Sequence, residues 1–276
     1  PNNVVFRWKE GEGIGAYLKP SGFTGTETKS PEPGSNGLAI DAEGRLLLCQ
    51  HGDRRLARME AATDAPKAAF TTLADRFEGK RFNSPNDLAV HSSGAVYFTD
   101  PPYGLPERFN DPQKEIDFQG VYRLSPTGQV ALLTGELTAP NGIALSPDES
   151  MLYVAQSDPQ KAIVMAYDLT PDGRVENPRV LFDATPLLAT RTGNPDGLKV
   201  DQQGNLFATG PGGVLVLTPD GRHLGTIMTG ERIANCAFGD DGRTLYMTSD
   251  MHLCRVRLKT IGDGFKKAAG RPEASD

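Results

Sequence analysis

The chain has 276 residues, with 29 Lys and Arg against 35 Asp and Glu for a formal net charge of −6. That acidic balance disfavours nucleic acid or an anionic membrane surface as the main partner, since both reward a basic face. No apolar run approaches the ~20 residues of a membrane-spanning helix, and 31 glycines with 21 prolines suit many tight turns rather than helices. In chain order, segments 4–8 and 14–18 read as a pair of strands. A motif then recurs five times: an Asn or Asp opens an apolar strand, a turn carrying Gly or Asp follows, and a second strand rich in Leu, Val, Tyr and Phe completes it. Its opening residues are Asn36, Asn86, Asn141, Asp196 and Asn235, at intervals of 50, 55, 55 and 39 residues. Third strands follow at 56–59, 120–124, 163–167, 213–217 and 253–257, several running into Pro-x-Gly turns such as Pro126-Thr127-Gly128. Cys49, Cys236 and Cys254 form no C-x-x-C pair and read as small buried hydrophobes.

Self-similarity at roughly 40–50 residues, with several strands per unit, is the signature of propeller blades. The expectation is therefore an all-β, six-bladed β-propeller forming a single domain over residues 1–276. Segments 4–8 and 14–18 would be the third and fourth strands of a first blade whose inner strands are missing from this sequence. A sandwich has no reason to repeat a polar residue at the same phase. In a propeller, the innermost strand of each blade starts at the central channel, so one side chain per blade converges there. Amide and carboxylate oxygens at such a point suit a hard cation such as Ca²⁺. The competing account is that Asn and Asp before Gly cap turns. Asn86, Asn141 and Asp196 each follow a proline and favour the ligand account; Asn36 and Asn235 do not.

The strings Cys49-Gln50-His51-Gly52-Asp53-Arg54-Arg55, Asn83-Ser84-Pro85-Asn86-Asp87, Phe98-Thr99-Asp100-Pro101-Pro102-Tyr103-Gly104, Pro140-Asn141-Gly142 and Gly193-Asn194-Pro195-Asp196-Gly197 resemble the bacterial gluconolactonases. These belong to the senescence-marker-protein, gluconolactonase and luciferin-regenerating-enzyme family. The resemblance covers nearly the whole chain and implies a six-bladed propeller that hydrolyses sugar lactones with one divalent cation, usually Ca²⁺, in its channel; Zn²⁺ and Mg²⁺ are the alternatives. By it, Asn141 and Asp196 match direct metal ligands, and Asn86 a channel Asn that binds metal or substrate. The family's further ligand is a Glu in a Glu-Gly-Pro motif, which this sequence lacks; that Glu is expected upstream of Pro1. Asp196 is the expected proton acceptor, with His51 as second candidate for the catalytic role or as a structural histidine. Tyr103, Arg81, Asn83 and Arg191 are expected to line the lactone pocket.

Other chemistries find less support. The chain has no G-x-S-x-G elbow, phosphate-binding Gly-rich loop or H-E-x-x-H pair, and its four histidines are scattered. Two rival readings stand beside lactone hydrolysis: the same site acting on another ester or a phosphotriester, and a non-catalytic propeller serving as a binding module. The expected partner is a small sugar lactone. Oligomeric state is open, and the compartment of what reads as a soluble chain is open between cytoplasm and export.

Overall fold

A computed structural model describes residues 2–265. The architecture is all-β: strands dominate, and the only helical turns among the described residues are the short 3₁₀ segments Arg108–Asn110 and Thr185–Ala189. No helix there is long and apolar enough to cross a membrane. Five sheets have the antiparallel, chain-ordered strands of propeller blades. The first is Ser35–Ile40, Leu46–Gln50, Arg55–Met59 and Phe70–Ala74; the second is Leu88–Val90, Val96–Asp100, Gly120–Leu124 and Val130–Thr134. The third is Pro140–Leu145, Met151–Gln156, Ile163–Leu169 and Val175–Asp183; the fourth is Leu198–Val200, Leu206–Gly210, Gly213–Leu217 and His223–Ile227. The fifth has three strands, Ile233–Gly239, Thr244–Ser249 and His252–Arg257.

The propeller therefore has five blades among the described residues, not the six expected from the sequence. The segments assigned to a cut sixth blade form a two-stranded ribbon, Val5–Lys9 paired with Gly13–Leu18. Two strands cannot bury both faces of a blade. Val5, Tyr17 and Leu18 pack on Leu46, Leu48 and Met59 of the first blade. On the other side Phe6 stays 58% exposed and Ile14 68%.

The recurring turn has a backbone cause. Gly44, Gly94, Gly204 and Gly242 sit at φ between +76° and +84°, where a side chain is strained, and each donates its N–H back across the turn. Glu149 takes the same left-handed place in the third blade, at φ +57°.

The chain divides into two compact units, one holding the residues up to Ile143 with Pro171–Val175, the other Ala144–Thr170 and the residues from Glu176 onward. In the first, Leu47, Cys49, Leu56, Phe82, Leu88, Val96, Phe98 and Tyr122 form the main core. Phe82, Phe98 and Tyr122 have ring centroids 5.2–5.3 Å apart, a spacing at which aromatic pairs add to burial. In the second, Tyr153, Val164, Leu198, Leu206, Leu215 and Leu217 form one cluster and Phe207, Val214, Ile233, Leu245 and Met247 another. Cys49 and Cys236 are buried, Cys254 is half-buried, and all three are free thiols.

Within each unit, neighbouring blades are tied at the phase of the repeat. The Gly37 N–H donates to the Asn86 carbonyl at 2.7 Å, and the Thr99 hydroxyl to the Asn141 carbonyl at 2.6 Å. In the second unit, the Gly197 N–H reaches the Ala234 carbonyl at 3.0 Å, and the Thr209 hydroxyl the same oxygen at 3.2 Å. A Cβ on Gly37 would lie 2.7 Å from that Asn86 oxygen, and one on Gly197 2.1 Å from Asn235 Oδ1. The glycine after Asn or Asp is thus required by the close approach of the next blade, more than by a turn.

Candidate functional site

In the first unit the repeat brings three amide side chains into one hydrogen-bonded line. Asn36 opens the first blade and donates Nδ2–H to Asn86 Oδ1 at 2.9 Å. Asn86, two residues before the second blade's inner strand, donates Nδ2–H to Asn141 Oδ1 at 2.6 Å. Asn86 and Asn141 are buried, whereas Asn36 reaches solvent. Buried amides need partners, and here each blade supplies the next one's.

His51 joins this line from the residue just past the strand Leu46–Gln50. Its Nε2 lies 3.2 Å from Asn86 Oδ1, and it is 2% exposed. Burial pulls its pKa down to about 4, against the raising effect of the Asn86 contact and of a hydrogen bond to the Glu32 backbone. The imidazole is therefore neutral at pH 7, and the Glu32 carboxylate 3.9 Å from Nδ1 is a polar neighbour rather than an ion-pair partner. Glu32 also approaches Arg108 at 3.3 Å.

Two cavities flank His51. The smaller, about 160 Å³, is bounded by Glu32, Gly34, Ser35, Asn36 and His51. The larger, about 550 Å³, is walled on one side by His51, Asp53, Arg54 and Arg55 and on the other by Arg81 and the Gly104–Pro106 turn. Arg81 is half-buried and donates a guanidinium N–H to the Asp53 carbonyl at 3.1 Å, while its backbone N–H donates to Glu115 at 2.8 Å.

The remaining first-unit candidates stand outside these walls. Asn83 is fully buried and donates Nδ2–H to the carbonyls of Asp100 (3.1 Å) and Phe118 (2.8 Å). Tyr103 is half-buried, with its ring edge-on to Phe109 at 6.0 Å. Asp100, which sequence reasoning passed over, anchors this corner. Its carboxylate accepts the backbone N–H groups of Asn83 and Ser84, each at 2.8 Å, and burial pushes its pKa well above the usual carboxylate range. Glu32 and Arg54 were likewise missed. Arg54 lay inside a family-like string, but no periodicity singles out either residue.

In the second unit, Asp196 is half-buried just ahead of the fourth blade's inner strand, with its N–H on the Thr209 carbonyl at 3.3 Å. The preceding Pro195 carbonyl accepts the Ser157 hydroxyl. Arg191 is half-buried, lies over Gly212 and donates to the Thr226 hydroxyl at 3.3 Å.

The oxygens of Asn86, Asn141 and Asp196 fit a hard divalent cation in kind. In the first unit the donors are neutral amides, and Asn141 Oδ1 keeps a lone pair beyond the one that accepts Asn86. No group of three His, Cys, Asp or Glu side chains gathers among the described residues. A cation here would accordingly draw on amide oxygens and on Asp196.

Comparison with known proteins bears on what such a site does. Residues 15–251 match the family model described as the SMP-30/gluconolactonase/LRE-like region. The chain is 40% identical over 268 residues to a gluconolactonase of Zymomonas mobilis, covering 95% of this chain and 74% of that protein. It is 29% identical over 203 residues to the lactonohydrolase oryL of Aspergillus oryzae, covering 67% of this chain but only 46% of that protein. Among solved structures, a gluconolactonase from Xanthomonas campestris superposes with a TM-score of 0.77 at 32% identity, covering 93% of this chain and 79% of that one.

Proposed function

The chain belongs to the SMP-30/gluconolactonase/LRE-like family, and from that premise we propose that it is a metal-dependent lactonase opening sugar lactones such as D-glucono-1,5-lactone. The observation that carries the reading is the buried amide line Asn36–Asn86–Asn141 with neutral His51 against it. Polar side chains are costly to bury, and these four stand beside polar cavities where a polyol can bind.

Asn86 and Asn141 supply amide oxygens to a divalent cation, Ca²⁺ in this reading, and Asp196 is assigned the carboxylate from its Gly193-Asn194-Pro195-Asp196-Gly197 string. When bound, such a cation polarises the lactone carbonyl and stabilises the negative charge that develops on its oxygen. Asp196 takes the proton of the attacking water. His51, uncharged at neutral pH, holds Asn86 in place and offers a second acceptor for that proton. Arg81 donates to substrate hydroxyls from the cavity wall, and Tyr103 and Arg191 are the rim residues assigned to the same task. Asn83 is assigned to the substrate side as well, through the corner it builds with Asp100.

The test is turnover of D-glucono-1,5-lactone followed by acid release. Turnover is expected to vanish with a chelator, to return with Ca²⁺, and to fall by about 10²-fold or more in Asp196→Asn and Asn141→Ala. Turnover indifferent to chelator and to both substitutions overturns the metal-dependent reading. No turnover of any sugar lactone by the Ca²⁺-loaded protein overturns the lactonase reading itself.

A further inference from the structure

The larger cavity of the first unit carries a charge pattern that a neutral lactone does not use. Lys29, Arg54, Arg55 and Arg81 line it together with Glu27, Asp53 and Asp75. Two of those carboxylates already face other cations: Asp53 pairs with Arg55 at 2.9 Å, and Asp75 lies 3.8 Å from Arg76. Arg81 has only the Asp53 backbone oxygen against its guanidinium, at 3.1 Å. Arg54 is 5% exposed, and its Nε and Nη1 are held by the carbonyls of Phe82 (2.7 Å) and Gln113 (3.1 Å). Its Nη2 meets no hydrogen-bond acceptor among the described residues. A buried charged donor left unmatched is unfavourable by about 1–3 kcal/mol. Arg81 lies close enough to add like-charge repulsion, which together with burial depresses the Arg54 pKa. Arg54 is moreover held at φ +57° by the loop that carries His51.

Two neighbouring guanidiniums, one with a spare in-plane donor, are the geometry that recognises a carboxylate or phosphate in preference to a neutral hydroxyl. A cavity of about 550 Å³ is ample for a six-carbon sugar acid, and Thr24, Thr72 and Ser30 add hydroxyl-bearing side chains to its surroundings. His51 lines both this cavity and the smaller one beside Asn36. We propose that the cavity is a binding site for the anionic end of a sugar acid, an aldonate carboxylate or the phosphate of a phosphorylated aldonate, held by Arg54 and Arg81. The inference rests on the lactonase reading for the sugar frame of the ligand and not for the anion.

The test is isothermal titration of the full-length protein with gluconate, 6-phosphogluconate and neutral sorbitol. At least one acid binds, sorbitol binds at least about tenfold more weakly, and added salt weakens the acids. Arg81→Gln lowers acid affinity about tenfold and Arg81→Lys lowers it less; Lys29→Gln gives a second charge deletion should the Arg81 variants melt early. Preference for gluconate identifies the carboxylate as the recognised group, and preference for 6-phosphogluconate identifies the phosphate. Equal binding of sorbitol, no binding of either acid, or acid affinity unchanged in folded charge-deletion variants overturns the proposal. Lactone turnover is assayed separately. A protein that binds gluconate through Arg81 yet opens no lactone retires the lactonase reading and leaves this site standing; turnover without acid binding does the reverse.

Discussion

At the scale of single residues, the site depends on a few polar groups whose burial is tolerated only because they satisfy one another. Asn86 is the centre of that arrangement, touching Asn36, His51 and Asn141. Asn86→Ala removes both the donor to Asn141 and the group facing His51. It is expected to lower stability by about 1–3 kcal/mol and to abolish lactone turnover, measured by denaturant unfolding and acid release. His51 makes a pH prediction. Its folded pKa of about 4 lies below the unfolded value of about 6.5. Between those values the unfolded chain takes up a proton that the folded one does not, so stability falls as pH drops through the window. The loss reaches about 2 kcal/mol by about pH 5. In His51→Gln the unfolding midpoint should lose that part of its pH dependence; an identical pH slope in both proteins would falsify the assignment. The phase of the repeat made Asn86 and Asn141 legible in the sequence. Glu32, Arg54 and Asp100 were not picked out, because their roles come from where loops and strand ends fold.

At the scale of elements, the repeat does two jobs that the sequence pattern could not separate. Asn and Asp give the site its polar groups, and the glycine after them lets the next blade close in. Gly37→Ala would put a methyl 2.7 Å from the Asn86 carbonyl and the Asp87 backbone. It should cost about 3 kcal/mol or more, since backbone cannot move aside cheaply. Gly44→Ala meets open space and bears only the left-handed backbone strain of φ +76°, about 1–2 kcal/mol. The ratio of these two losses, read from denaturant midpoints, distinguishes blade packing from turn strain. Thr99→Val tests the other tie. It leaves the Asn141 carbonyl without the hydroxyl at 2.6 Å, with an expected loss of about 1–2 kcal/mol.

At the scale of the whole molecule, the expectation of six blades gave way to five and a ribbon. The strands of that ribbon were placed to within a residue by their apolar alternation: 4–8 against Val5–Lys9, and 14–18 against Gly13–Leu18. Their status as part of a blade was not legible, because a strand pattern records which residues alternate and not how many neighbours a sheet has. The ribbon still covers Leu46, Leu48 and Met59. Deleting residues 2–18 should therefore expose apolar surface at about 25 cal/mol per Å². A lower melting temperature and increased dye binding are the expected outcome.

The sequence by itself determined the all-β class, the repeat that makes propeller blades, the inner strand of each, and the family to which the residues point. Those follow from local causes: alternation, turn glycines and the recurrence of one motif at a constant phase. Only tertiary structure decided that Asn36, Asn86 and Asn141 form one hydrogen-bonded line in the first unit, that His51 is buried and neutral against it, and that Arg54 and Arg81 share a cavity. These depend on which side chains a chain-distant neighbour meets and how much water is excluded around them. Desolvation and hydrogen-bond partnering arise when blades pack, and no spacing along the chain encodes them.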